Sequence, residues 1–186
     1  MRPTLFVTGA TGFLGGHFVC LALEQKLRLR CLVRDSKFSG DPRVEWVHGD
    51  LQKNGRWTSR LKGCDAVVHL ATVSLGKCEI DPLQGAETIA GGFQRLIKAA
   101  TRANVQRFVL CSSSEVYGLQ RRLPITEGTP LQPGSLYGFL TACVELLALR
   151  HGFQTGKSVC ILRFFNLYGC KIDGTLPENV LRLFAE

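Results

Sequence analysis

The chain has no long unbroken apolar run. Its longest nearly uncharged stretches, 3–23 and 63–76, are interrupted by Gly, Thr, Ser, His or Asp, whereas a membrane span needs about 20 consecutive apolar residues. The first stretch also lacks the charged leader, continuous apolar core and small-residue cleavage site of a secretory signal. No C-x-x-C pair occurs among the eight cysteines, at positions 20, 31, 64, 78, 111, 143, 160 and 170. Most of them sit inside apolar segments, so they are expected to be buried thiols in a reducing compartment, the cytoplasm, rather than disulfides or metal ligands. His17, His48 and His69 stand apart from one another, and no metal constellation emerges. The 20 Gly and 7 Pro follow no period, which excludes collagen-like and repeat architectures. Basic residues outnumber acidic ones, 23 to 15, giving a formal charge of +8. The excess is diffuse and not interleaved with aromatics, so it reads as a solvated surface and nucleic-acid binding is not expected.

What remains is an ordinary globular composition of 186 residues, 45% apolar and 20% charged. That length suits about one domain of roughly 150 residues, able to bury around 70% of its extended surface. Leu5-Phe6-Val7 reads as a short strand ending in a Thr-Gly turn, and Phe13, Leu14, Phe18, Leu21 and Ala22 then follow helical spacing over 13–26. Alternating Leu27, Leu29, Cys31 and Val33 predict a strand to Arg34, and 44–47 a further one. The apolar run 65–70 predicts a strand covered on both faces. A helix is expected over 82–103, with Ile89, Phe93, Leu96, Ile97 and Ala100 on one face, then strand 106–112, helix 135–151, strand 158–164 and a helical pattern from Pro177 onward. Strands alternating with helices imply right-handed crossovers, and hence an α/β, Rossmann-type doubly wound parallel sheet with helices on both faces. No linker or second domain is expected after Glu186.

Thr8-Gly9-Ala10-Thr11-Gly12-Phe13-Leu14-Gly15 carries glycines three apart. The spacing alone is weak, but it follows the first strand and opens the first helix. There, main chain without Cβ atoms lets N–H groups approach a diphosphate, and the helix dipole favours its charge. Dinucleotide binding is therefore expected. At the end of the second strand stand Val33-Arg34-Asp35, with Lys37 beyond. A guanidinium there suits a 2′-phosphate and points to NADP, while Asp35 keeps NAD open. Asp50 could accept a hydrogen bond from an adenine amino group or serve as a plain helix cap.

These segments together resemble a family. TGATGFLG, GDL at 49–51, HLAT at 69–72, CSSSEVYG at 111–118, PITEGTPLQPGSLYG at 124–138 and RFFNLYG at 163–169 are similar to the extended short-chain dehydrogenase/reductases, the NAD(P)-dependent epimerase/dehydratase group. The resemblance covers essentially the whole chain, and VRD at the second strand's end is closer to its dihydroflavonol-reductase-like branch. It implies an NAD(P)-binding domain over 1–186 that ends at the start of a substrate-binding region, with most of that C-terminal region lacking. It also implies oxidoreductase or epimerase/dehydratase chemistry on a carbonyl or secondary alcohol, and a possible homodimer through helices 82–103 and 135–151.

By the same resemblance Gly9, Gly12, Phe13, Leu14, Gly15, Arg34, Lys37, Asp50, Leu51, Leu70, Ala71, Thr72, Tyr137, Phe164 and Asn166 face the cofactor. Tyr137 exchanges the substrate's proton and Ser113 holds its oxygen. A free tyrosine has a pKa of about 10 and is a poor base near neutrality. The family corrects this with a lysine four residues on, one helical turn away. Here Tyr137-Gly138-Phe139-Leu140-Thr141-Ala142-Cys143-Val144-Glu145 aligns with the family pattern without a gap, and the lysine position holds Thr141. Proton transfer is expected to be impaired, which leaves a catalytically inactive NADP-binding protein as the alternative; rescue by Arg121 or Arg122 is a further possibility. Phe164 and Phe165 read either as pocket wall or as strand-end core. Cys170 has no histidine near it in sequence and is not expected to be a nucleophile. His69 reads as a packing residue.

Overall fold

The computed structural model describes residues 2–35, 38 and 40–171. Lys37 and the helical pattern expected from Pro177 lie outside the described residues. The chain begins in the middle of its sheet. Strand β1 (Thr4–Thr8) leads through helix α1 (Phe13–Glu24) to β2 (Arg28–Val33) and then β3 (Glu45–His48), moving outward to one edge. A 3-10 turn at Arg56–Leu61 carries the chain back past β1 to β4 (Ala66–His69). From there β5 (Arg107–Ser113) and β6 (Ser158–Phe164) extend the other half. The six strands are all parallel, in the order β3-β2-β1-β4-β5-β6. This is the doubly wound Rossmann order, which reverses direction between β1 and β4.

Side-chain alternation along each strand builds two cores. Phe6, Val67, Phe108 and Leu110 face one side, packed against Trp57, Phe93, Leu96 and Val144. Val7, Leu29, Cys31 and Val68 face the other, where α1 supplies Val19 and Ala22. Helices therefore lie on both faces, as the alternation of elements predicts. Among the described residues α1 is the only helix on its side, so Cys160 and Leu162 of β6 stay exposed.

Where the sequence pattern predicts one helix over 82–103, the structure has α3 (Pro82–Ala86), a π turn at Glu87–Gly91 and α4 (Gly92–Arg102). The double glycine Gly91-Gly92, weak in helix preference, stands where the wide turn ends. The apolar face of α4 is as expected: Phe93, Leu96, Ile97 and Ala100 are buried. The sequence pattern does not predict the short helix α2 (Leu75–Ile80), which buries only Cys78 and shows no apolar stripe. Helix α5 runs Leu136–Thr155, four residues past the expected end; Ser135 caps its start by accepting from the Gly138 N–H at 3.1 Å, and left-handed Gly156 ends it. The expectation of mostly buried cysteines is corrected: only Cys31, Cys64 and Cys78 are buried, though all eight are free. An apolar neighbourhood in sequence does not say which side of a strand or helix a thiol takes, and Cys20 and Cys160 take the outer one.

A buried ion cluster ties the second half of the sheet together. The Glu145 carboxylate, on α5, is 1% exposed and accepts from Arg163 of β6 at 3.0 Å (Nε) and 2.8 Å (Nη2). The Ser112 hydroxyl on β5 donates to the same carboxylate. Arg163 Nη1 donates to the Tyr117 hydroxyl at 2.8 Å, and its guanidinium lies 5.0 Å from the centroid of that ring. The hydrogen bonds to Glu145, more than any other effect, hold the guanidinium above its ordinary pKa.

His69, as expected, is a packing residue. It is 5% exposed, its Nδ1 lies 2.7 Å from the Thr8 hydroxyl, and burial pushes its pKa down to about 4. Above an ordinary histidine pKa of about 6.5 the ring is neutral in both folded and unfolded chains and contributes no pH dependence. As pH falls, the unfolded chain takes up the proton first, so stability should drop between about 6.5 and about 4 by up to ~3 kcal/mol. Urea denaturation at several pH values in that window should show a steeper loss for wild type than for His69→Leu. Equal slopes would assign the acid sensitivity to other groups.

Candidate functional site

The turn from β1 into α1 is shaped by side chains that are missing. Gly9 has φ +76°, and a Cβ there would stand 2.6 Å from the Ala71 nitrogen. A Cβ on Gly15 would stand 2.0 Å from the Gly9 carbonyl oxygen, so the first turn of α1 lies directly against the strand end only because that position is bare. Gly12 is looser, with a Cβ meeting only the Gly9 oxygen at 3.2 Å. It occupies the N-cap, no side chain caps the helix, and its first turn holds no acidic residue. Open N–H groups and the positive end of the helix dipole are left to an anion. This three-glycine division of labour fits a bound pyrophosphate.

The turn opens into a cleft of about 620 Å³ along the C-terminal ends of the strands. This is where the reversal of strand order leaves a crevice. All the expected site residues except Lys37 line it: Gly9, Gly12, Phe13, Leu14 and Gly15 at the turn, Arg34, Asp50 and Leu51 beyond β2 and β3, Leu70, Ala71 and Thr72 beyond β4, and Ser113, Tyr137, Phe164 and Asn166 at the far end. Arg34 is exposed and pairs with no described carboxylate. It also borders a second hollow with Thr11, Val33, Asp35 and Phe38. Asp50 Oδ1 accepts from the Gln52 N–H at 2.9 Å, so its carboxylate already closes a local turn while facing the cleft.

At the far end, Tyr137 is half-buried at the start of α5. Ser113 Oγ accepts from the Glu115 N–H at 3.2 Å, and Phe164 and Phe165 are both cleft wall, with Phe165 57% exposed. Thr141 is 6% exposed, and its hydroxyl donates back to the Tyr137 carbonyl at 2.7 Å, one turn earlier on the same helix. Its one proton is therefore committed to the backbone. Among the described residues, Arg34 and Asp50 are the only charged ones that line the cleft. Arg121 and Arg122 are exposed and do not reach it. His17 does approach Cys170, but through Nε2 to the backbone carbonyl at 2.8 Å and not to the thiol. Among the described residues no group of three potential ligands could hold a metal ion.

Several cleft residues escape sequence reasoning. Thr11 hides inside the glycine turn, while Gln52 and Thr88 are 36 positions apart and meet through a 2.6 Å hydrogen bond at the cleft wall. Thr88 sits in the π turn within an otherwise helical pattern, and nothing in that pattern marks it. Glu145 and Arg163 lie behind the wall, and only the folded sheet makes them partners.

Known proteins share this arrangement. A model of the NAD dependent epimerase/dehydratase family matches residues 5–186. A UDP-glucose 4-epimerase of Lactobacillus helveticus is 31% identical over 183 residues, covering 94% of this chain and 55% of the relative. A dTDP-glucose 4,6-dehydratase of Streptomyces griseus is 33% identical over 199 residues, covering 99% of this chain and 59% of the relative. The crystal structure of a double mutant of the Streptomyces venezuelae dTDP-glucose 4,6-dehydratase, with NAD bound, superposes with a TM-score of 0.85 at 32% identity, over 99% of this chain and 61% of that one. The chain thus spans little more than half the length of the curated relatives it matches. With the glycine turn, the strand order and the match over residues 5–186 in agreement, the chain belongs to the NAD dependent epimerase/dehydratase family.

Proposed function

We propose that residues 1–186 form the dinucleotide-holding part of an oxidoreductase or epimerase/dehydratase that acts on a carbonyl or secondary alcohol of a sugar nucleotide, with proton transfer slowed by Thr141. The observation that carries the reading is the bare, uncapped start of α1 against the strand end, opening onto a cleft lined by the family's positions. When bound, a nicotinamide dinucleotide would supply the means to take a hydride from a carbinol carbon and return it. The chain's own part is to bind and orient. The Gly9–Gly15 turn receives the pyrophosphate, and Arg34 offers a guanidinium to a 2′-phosphate, favouring NADP. The relatives' use of NAD and the neighbouring Asp35 keep NAD as the other cofactor. Asp50 and Leu51 take the adenosine side; Leu70, Ala71 and Thr72 line the middle; Phe164 and Asn166 line the nicotinamide end. Tyr137 passes the proton and Ser113 steadies the oxygen that bears it.

A specific observation favours the second reading, a cofactor-binding protein without turnover. The hydroxyl of Thr141 is turned to the Tyr137 carbonyl, and among the described residues no cation lines the cleft beside the phenol. Among the described residues the phenol then lacks the charged neighbour that would favour its anion. The substrate class proposed here, a sugar nucleotide, is supported by those relatives' names. Eight free thiols support the reducing cytoplasm as its compartment, and among the described residues no helix is long and apolar enough to cross a membrane. A homodimer is supported by an apolar stripe on the outer side of α5, where Phe139, Leu146, Leu149 and Phe153 are 50–91% exposed.

Calorimetric titration should show NADP binding more tightly than NAD. Arg34→Ala should cost NADP roughly tenfold in affinity while sparing NAD, and Gly15→Val should abolish binding of both. Absence of binding to wild type would remove both readings. With a cofactor and sugar-nucleotide panel, Thr141→Lys should raise turnover by about tenfold or more, since each pKa unit restored to the phenol is about 1.4 kcal/mol. Brisk wild-type turnover that the lysine does not improve would show that the proton moves by another route. Sedimentation should report a dimer that Phe153→Glu converts to monomer; a monomeric wild type would refute the dimer.

A further inference from the structure

Between the end of β6 and the first turns of α1 the chain forms one wall of the cleft. Phe164, Phe165, Asn166 and Leu167 line it, and the same segment then reaches α1, where the Cys170 carbonyl accepts from His17 Nε2 at 2.8 Å. The partners are 153 positions apart. In the sheet order β6 lies three strand spacings from β1, about 14 Å. The residues 165–170 can span at most about 22 Å when fully extended, so the segment has little slack while the contact holds.

The receiving surface on α1 is built from two rings. Phe13 and His17 are one helical turn apart and share a face of the helix. Their rings meet edge to face, with centroids 5.5 Å apart. Gly169 directs the segment onto this face: its φ of +128° is one that side chains rarely adopt, and a Cβ there would stand 3.7 Å from Phe13 Cζ. A carbonyl only accepts, so His17 is the donor and its proton sits on Nε2. The bond lands just past Gly15, on the turn of α1 that this bare position seats against the strand end.

We infer that His17 is a positioning residue for the dinucleotide: by latching the 165–170 segment to α1 it sets the separation between the wall at the nicotinamide end and the turn that receives the pyrophosphate. The inference rests on the proposal that the cleft binds a nicotinamide dinucleotide with its ring at the Tyr137 end. Such a ligand touches both parts at once, and a wall already fastened spares the ordering that binding would otherwise impose. Arg34 follows β2, on the far side of β1 from the latch, so the latch bears on NAD and NADP alike.

Two measurements on the full chain test this. Without ligand, chymotrypsin should cut after the exposed Phe165 and Tyr168 several-fold faster in His17→Ala than in wild type, with the cut sites read by mass spectrometry. Calorimetry should then give dissociation constants for NADP and NAD about tenfold weaker in His17→Ala, by the same factor for both, the scale of one lost hydrogen bond. His17→Gln retains a side-chain N–H donor and should recover most of the loss. His17→Phe keeps a ring against Phe13 without a donor and should bind as weakly as His17→Ala, which separates the hydrogen bond from the packing. Equal cleavage rates, an affinity that His17→Ala leaves unchanged, or a loss that His17→Phe escapes or His17→Gln fails to recover overturns the inference and leaves the cofactor reading standing. Failure of wild type to bind either dinucleotide overturns both.

Discussion

The contact between Gly15 and the Gly9 carbonyl organises the molecule. A single methyl group at position 15 would stand 2.0 Å from that oxygen, and one at Gly9 would meet the backbone of residues 70 and 71. With neither present, α1 starts directly at the C-terminal end of central strand β1, and its open N–H groups and dipole look into the crevice between β1 and β4. Displacing the helix outward would separate Val19 and Ala22 from Val7 and Val68, so the core on that face and the anion-receiving end of the cleft depend on the same two bare positions.

The other end of the cleft is held by charge instead of by absence. Glu145 and Arg163 join α5 to β6, Ser112 brings in β5, and Tyr117 brings in the loop after it. Removing either charge would strand its partner in a partly dry site, at a cost of roughly 3–5 kcal/mol. The cluster braces the cleft wall from behind: Ser112 and Ser113 both line the cleft, and the Ser112 hydroxyl is tied back to Glu145.

These two ends differ in electrostatic character. The α1 end offers main-chain donors, a helix dipole and the exposed guanidinium of Arg34, all suited to phosphates. The tyrosine end offers neutral side chains with carboxylates behind them. A ligand spanning both would be drawn in by its anionic middle and held at its far end mainly by shape, aromatic faces and hydrogen bonding.

Much of this was legible in the sequence, because periodicity reports burial directly. The alternation in 27–34, the apolar run at 65–70 and the helical face of Phe93, Leu96, Ile97 and Ala100 predict the sheet and its crossovers, and the glycine spacing after the first strand predicts the turn. The register of Tyr137 to Glu145 identifies Thr141 at the position one turn past the tyrosine. Tertiary structure alone decided the rest. That Thr141 spends its hydroxyl on a backbone carbonyl, that Arg163 is neutralised by a carboxylate 18 residues away, that Gln52 meets Thr88, and that Cys20 and Cys160 face outward all depend on which side of an element points where. Local pattern fixes the period of a helix or strand, but pairing between side chains distant in sequence is set by the packing of the elements that carry them.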